Sequence, residues 1–339
     1  MNLTITTRRL DLKHTWTIAR GSADFKEYHY VGLEHEDVIG YGEAAHNVRY
    51  GESLESIGAF LEASKELLRA ADPRHFYDLS KKLHDLGEGQ YAAKAALDMA
   101  LMDWITKKLG MPLYRFWGLD ENKTPITSYS IGIDRPELMQ QKIRDAASLP
   151  ILKIKLGSEN DEAIMHAVRE ATNRAVRVDA NEGWKDRQQA LKKIQWLKEL
   201  NVEFVEQPMP AQRLDDVAWL HARSPLPLVA DEDVRTVKDI PALAQAYDGI
   251  NIKIMKAGGV QEALRMIHVA RAHGLKIMLG CMVESSLGIT AAAHLSPLVD
   301  WADLDGNLLI KNDPYRGATI SQGHLILPAT PGLGVVAAV

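Results

Sequence analysis

Cysteine is almost absent from this 339-residue chain. The single Cys281 excludes an internal disulfide framework and fits a reducing, cytoplasmic setting. Apolar runs of membrane-spanning length are missing too, because charges interrupt every long stretch. The N-terminal MNLTITTRRLDLKHTW carries charge where a secretion signal needs an apolar core, so neither a membrane span nor an export signal is expected. No broad positive field exists: 40 basic residues against 45 acidic ones leave a net charge of −5, which argues against nucleic acid as a partner. Histidine occurs twelve times, yet never in the strand-end motifs described below, and this disfavours imidazole catalysis. What remains is the composition of a soluble globular protein, 46% hydrophobic and 25% charged, long enough for one barrel-sized domain and a smaller one.

Residues 1 to about 44 alternate apolar and polar positions, with a turn-like EHED between YHYVGLE and VIGYGEA, the pattern of an antiparallel meander. Helices are expected at roughly 53–71, 73–86 and 88–109. The last is alanine-rich and stopped by Gly110 and Pro112. From about residue 125 the pattern becomes short β-like runs separated by helix-length segments. The runs start at Thr127, Pro150, Ala175, Val202, Pro227, Gly249, Leu275 and Trp301, spaced 22 to 27 residues apart. Eight strands at that interval point to a parallel barrel, with a doubly wound open sheet as the alternative that periodicity leaves open. After Gly306 no helical period follows, so the eighth helix is expected to be missing. The expected organisation is an α+β capping domain at 1–120, a barrel at 121–310, and a segment at 311–339 that returns to the cap.

Carboxylates end three successive runs: Asp179 in AVRVDAN, Glu206 in VEFVEQP and Asp231 in PLVADED. Lysines precede and follow them, Lys153 and Lys155 in ILKIKL and Lys253 in GINIKIM. Residues two apart share a strand face, so Lys153 lies with Lys155, Asp179 with Asn181, Glu206 with Phe204 and Lys253 with Asn251. Buried charges persist only when paired or bound to metal, and an all-oxygen set favours magnesium or manganese over zinc. Singly, each motif has an ordinary explanation: Lys-x-Lys as surface lysines, DED as a loop, GCMVES as strand-end packing with Cys281 inert for want of an activating histidine. Their coincidence at the ends of five consecutive strands is what carries weight.

With KIK, VDAN, EQP, ADE, NIKIMKAGG and a closing PGLG, the chain resembles the enolase superfamily, and within it the muconate-lactonizing-like subgroup, over essentially its whole length. The resemblance implies a (β/α)7β barrel under an α+β capping domain. It also implies Mg²⁺ on Asp179, Glu206 and Asp231, with Mn²⁺ able to substitute. Lys155 and Lys253 would stand on opposite faces of the substrate, Lys153 would help hold the substrate carboxylate, and Lys256 would be structural. Asp303 and Asp305 in DLDG, separated by one residue and so expected on one face of the eighth strand, look like the DxD signature of dipeptide epimerases, in which two carboxylates hold a free ammonium. WTIARGS and RYGES resemble the two capping loops of that group, and Arg20 falls where an acidic second residue would be met.

The activity so implied is a two-base 1,1-proton transfer at the α-carbon of the C-terminal residue of a dipeptide, passing through an enediolate. Lysine bases with magnesium are a known pairing of enolase-superfamily sites. The expected substrate is L-Ala-D/L-Glu from cell-wall peptide turnover. The competing expectations are a cycloisomerase, an o-succinylbenzoate synthase, a sugar-acid dehydratase, a non-catalytic barrel, or an epimerase for apolar or cationic dipeptides. No nucleic acid or membrane partner is expected, and a homo-oligomer is compatible with the sequence.

Overall fold

Alternation in the first 44 positions produces three antiparallel strands in the order β1 (Asn2–Ile18), β2 (Gly21–His35) and β3 (Val38–Ala44). A computed structural model of the chain describes residues 1–338. The turn between β2 and β3 places Glu36 and Asp37 at φ 47° and 61°, the left-handed pair that a tight hairpin requires. Pairing between β1 and β2 breaks after Asp11 and resumes at Trp16 with Ala23, which carries a hairpin tip at Ala19–Arg20 beyond the sheet. WTIARGS is therefore the end of a β-hairpin rather than an irregular loop.

Helices follow at Leu54–Arg69, Phe76–Asp85 and Tyr91–Lys108. In the third, every residue from Ala92 to Thr106 is buried, including Lys94, Asp98 and Asp103. Its small alanines allow β3 to approach the helix backbone, and the two glycines of GYGEA complete the approach. A methyl group at Gly40 or Gly42 would overlap the carbonyl oxygen of Ala100 or Ala96.

The barrel comprises β4 (Tyr129–Ile131), β5 (Ile151–Lys155), β6 (Ala175–Asp179), β7 (Val202–Glu206), β8 (Leu228–Ala230), β9 (Gly249–Ile252), β10 (Lys276–Gly280) and β11 (Trp301–Asp303). All neighbours are parallel and in sequence order. A bridge from Thr127 to Ala302, with the Ser128 N–H donating to Ala302 O at 3.0 Å, closes the seam and rules out the doubly wound sheet. The helix after β8 shrinks to one turn, Ile240–Leu243. Among the described residues no α-helix follows β11: a short turn at Gly306–Leu309 leads into two small antiparallel pairs, of which Tyr315–Arg316 with Val336–Ala337 packs by Tyr30 and Tyr41 of the cap and Thr319–Ser321 with His324–Ile326 lies against residues 124–127. In the same closing segment Lys311 N–H reaches Asp11 O at 2.8 Å and Leu333 N–H reaches Asp103 Oδ1 at 2.7 Å. Among the described residues no helix is long and apolar enough to cross a membrane.

Alternation along the strands layers the interior. The lower layer holds Phe204 against Trp301 at 4.8 Å between ring centroids, and Arg177, whose guanidinium donates to Ala302 O at 2.8 Å. One layer up, toward the carboxyl ends, strand register sets Lys155 beside Asp179 and Asp179 beside Glu206. The cap grips this end through Glu43 of β3, a buried carboxylate that accepts from the Ser285 and Gly288 N–H groups at 2.9 and 3.0 Å. It thereby caps the helix Ser286–Ala293. Burial pushes Glu43 up to about 7 and its buried neighbour Glu284 up to about 8.

Gly42→Ala should cost about 1–3 kcal/mol through forced separation of β3 from its helix. Urea unfolding should show a lower midpoint at unchanged slope. Gly87→Ala, where nothing stands within 4 Å of the added carbon, is the control and should move the midpoint little. Equal midpoints for the two variants would refute the close-packing account.

Candidate active site

Three of the strand ends place a carboxylate inside the barrel mouth. Asp179 and Glu206 are the last residues of β6 and β7, and Asp231 follows β8 by one residue. All three are buried, and one oxygen from each lies within 4.8 Å of the others. Lys155 Nζ is 2.6 Å from Asp179 Oδ2 on one side of this cluster, and Lys253 Nζ is 2.7 Å from Asp231 Oδ2 on the other. Lys153, only 1% exposed, reaches Glu206 and Asp303, each at 2.7 Å, and Asp179 at 3.3 Å. Lys256 donates to both the carboxylate and the carbonyl of Asp231, so it buttresses that residue from outside the cavity.

The electrostatics of the cluster are those of charges that cannot reach water. Burial opposes ionisation of Asp179, but Lys155 and Lys153 outweigh it and hold the carboxyl at about 2. Burial likewise opposes ionisation of Asp231, and Lys253 and Lys256 keep it well below the usual carboxylate range. Glu206 fares differently: burial, then Asp179, push it up to about 8. Its Oε1 accepts from Asn251 Nδ2 at 2.8 Å, whereas its buried Oε2, although near Lys153, lies out of line for a hydrogen bond. A half-satisfied buried carboxylate facing two others is a donor set that a hard divalent cation fits, with oxygen as its only ligand type.

Burial opposes the charge of Lys153, but Asp303, then Glu206 and Asp179, prevail and hold its ammonium well above the ordinary lysine range. Lys153 is thus a fixed cation, and it borders the cavity together with Lys155 and Lys253. Asp303 and Asp305 line it too. Asp305 lies past the end of β11, so strand alternation is not what brings it beside Asp303. The backbone turns into the following helical turn, and the Ser130 N–H holds the Asp305 carboxylate at 2.5 Å. Ser128 donates to Asp303 Oδ1 at 2.7 Å. Burial, then Asp303, push Asp305 up to about 7. Cys281 borders the same space, and burial raises its thiol well above the ordinary range, which keeps it in the less reactive thiol form.

The cap closes the mouth from above with Trp16, Ile18 and Arg20 of the first hairpin, and with Asn47 and Tyr50 after β3. Arg20 commits Nη1 to Glu232 at 2.7 Å, Glu182 at 3.0 Å and Asn181 O at 3.0 Å. Its Nε and Nη2 have no hydrogen-bond partner among the described residues. Of the residues singled out in the sequence, Arg20, Lys153, Lys155, Asp231, Lys253, Asp303 and Asp305 line the cavity, while Asp179 and Glu206 lie buried behind Lys155 and Lys153. Ser128, Ser130 and Glu182 were missed. The two serines alternate in TSYS, a pattern that marks a shared face, but Glu182 follows no period and left no signal.

Family comparison agrees with this geometry from end to end. Residues 1–118 match the mandelate racemase / muconate lactonizing enzyme N-terminal domain, and residues 137–338 match the enolase C-terminal domain-like family. An L-Ala-D/L-Glu epimerase of Bacteroides thetaiotaomicron is 44% identical, over 99% of this chain and 88% of its own length. The structure of a substrate-liganded L-Ala-D/L-Glu epimerase from Bacillus subtilis superposes with a TM-score of 0.94 at 30% identity, covering 100% of this chain and 99% of that one. A dipeptide epimerase from Enterococcus faecalis, complexed with Mg and L-Leu-L-Tyr, superposes at 0.92 with 32% identity and 98% of both chains covered. Both domains match, and the chain belongs to the mandelate racemase / muconate lactonizing enzyme family of the enolase superfamily.

Proposed function

We propose that this protein is a dipeptide epimerase that inverts the α-carbon of the C-terminal residue, with L-Ala-L-Glu and L-Ala-D-Glu as the interconverted pair. The observation that carries the reading is the shared cavity: a three-carboxylate cluster with a lysine on either side, and two aspartates at the barrel seam. The names of the relatives and the peptides bound in the solved neighbours support a dipeptide as substrate.

An α-proton beside a carboxylate is weakly acidic because its removal adds negative charge to a group already anionic. A divalent cation on Asp179, Glu206 and Asp231, Mg²⁺ or Mn²⁺, would stabilise that charge and, by engaging Asp179 and Asp231, loosen the ion pairs that hold Lys155 and Lys253. Lys153 keeps its proton and offers a permanent positive charge to the substrate carboxylate. Lys155 and Lys253 lie on opposite sides of the cluster, so one takes the proton from one face of the α-carbon while the other delivers a proton to the opposite face. Their roles exchange with the isomer bound. Asp303 and Asp305 hold the substrate's ammonium, which an N-blocked or amine-free substrate would not supply. Arg20, with Nη1 anchored, presents Nε and Nη2 side-on, the edge of the guanidinium that matches a carboxylate on the second residue.

Deuterium uptake by L-Ala-L-Glu in heavy water, followed by loss of the α-proton NMR signal, should require a divalent cation. Lys155→Ala and Lys253→Ala should each stop epimerisation, yet each should still exchange one isomer, and the isomers should differ. Exchange of the same isomer by both variants overturns the two-face arrangement.

Asp305→Asn should lower kcat/KM for a free dipeptide about tenfold to a hundredfold, the weight of a lost charge-assisted hydrogen bond. N-acetylation of the peptide should penalise the unmodified enzyme more than this variant. If the unmodified enzyme turned over acetylated and free peptides equally well, the ammonium assignment would be wrong.

For Arg20 the readout is selectivity. The ratio of kcat/KM for Ala-Glu over Ala-Lys should exceed one, fall in Arg20→Lys and invert in Arg20→Glu. A ratio unmoved by either substitution removes Arg20 from substrate recognition while leaving the epimerase chemistry intact.

A further inference from the structure

Glu182 has no place in the chemistry above, yet its carboxylate is among the most heavily bonded in the molecule. It stands three residues beyond Asp179 in a left-handed conformation, φ 66°, and its side chain is 9% exposed. Oε1 accepts from the Ala211 N–H at 2.8 Å and from Arg49 Nη2 at 2.9 Å. Oε2 accepts from Arg49 Nε at 3.0 Å and from Arg20 Nη1 at 3.0 Å. Arg20 is the tip of the first hairpin, Arg49 lies in the turn Val48–Tyr50 of the second capping segment, and Ala211 lies in the loop after β7. One carboxylate therefore ties both capping segments to the loops that continue two of the acid-bearing strands.

We infer that Glu182 is a positioning residue: a latch that holds the two capping segments closed over the cavity, resting on the epimerase reading for the substrate it encloses. The bidentate contact with Arg49 fixes direction as well as distance. Burial opposes ionisation of Glu182, but the guanidiniums and the Ala211 N–H prevail, so it stays ionised at neutral pH. Charge pulls the segments together even though the arginine side chains remain 30% and 37% exposed. If the latch is lost, the free protein spends part of its time open, and substrate must supply the closing free energy on binding. Apparent affinity then falls by the closed fraction, while the bound and closed complex turns over as before.

The test uses Glu182→Gln, Arg49→Ala and the double variant. Glutamine can keep the acceptor toward Ala211, but its amide would face the Arg20 and Arg49 donors. Amide hydrogen exchange of the substrate-free protein should accelerate at residues 16–23 and 46–52 in Glu182→Gln and the double variant, and at 46–52 in Arg49→Ala, with residues 151–179 protected as before. KM for Ala-Glu should rise roughly fivefold or more in Glu182→Gln with kcat nearly unchanged, and the double variant should be no worse than Glu182→Gln because the Arg49 contact is already lost there. Unchanged exchange in the two segments overturns the latch, as does a fall in kcat at constant KM. The exchange measurement needs no substrate, so a failed latch and a failed epimerase assignment give different results. Slow exchange with no turnover of any dipeptide would count against the reaction alone, and faster exchange without a KM effect would refute the role in binding.

Discussion

Like charges cannot be buried together without a counter-charge, and the barrel mouth is built around that constraint. Asp179, Glu206 and Asp231 meet where water is largely excluded, and four lysines stand against them or their immediate neighbours. The pairing is unequal. Asp179 and Asp231 are held ionised by close ammonium groups, while Glu206 is pushed toward neutrality. A site balanced in this way is sensitive to one added cation or one added carboxylate, which is the condition a proton-transfer centre has to meet. The strand register, the lysine buttress behind Asp231 and the serines behind the two aspartates all act to keep these groups from relaxing apart.

Much of this was legible because a parallel barrel repeats. One chemically distinctive residue at each strand end, at an interval near 25 residues, converts a linear pattern into a ring, and the structure closes that ring at Thr127 and Ala302. The glycines of GYGEA and the alanines of the long cap helix were visible as composition, but their meaning, a backbone pressed against a backbone, depends on two segments meeting in space. Asp305 was reached by an incomplete argument, since alternation applies only as far as Asp303 and the rest is turn geometry. Glu182 had no periodic signature because its role is fixed by three loops that approach one another only after folding.

Cap and barrel share more than a surface. Glu43 of the cap provides the N-terminal cap of a barrel helix, and Asp103 of the cap accepts from both Tyr41 and Leu333. The hairpin tip docks on the barrel through Ile133 N–H to Thr17 O at 2.9 Å. The walls of the cavity are consequently assembled from two domains, with the barrel supplying reactive groups and the cap supplying the lid over them. This division lets loop residues of the cap vary in character while the acid and lysine ring stays fixed.

The contact between Leu333 and Asp103 spans 230 residues of chain. During synthesis the cap strands and helices emerge first, and Asp103 lacks its Leu333 donor and the cover of Gly332 until the entire barrel has been made. The last contact of the first domain is therefore made only after the second is complete. The nascent cap would depend on Lys107 and Tyr41 alone to satisfy that carboxylate, and the closing segment would then act as the clasp that converts a loosely formed early domain into a cooperative whole.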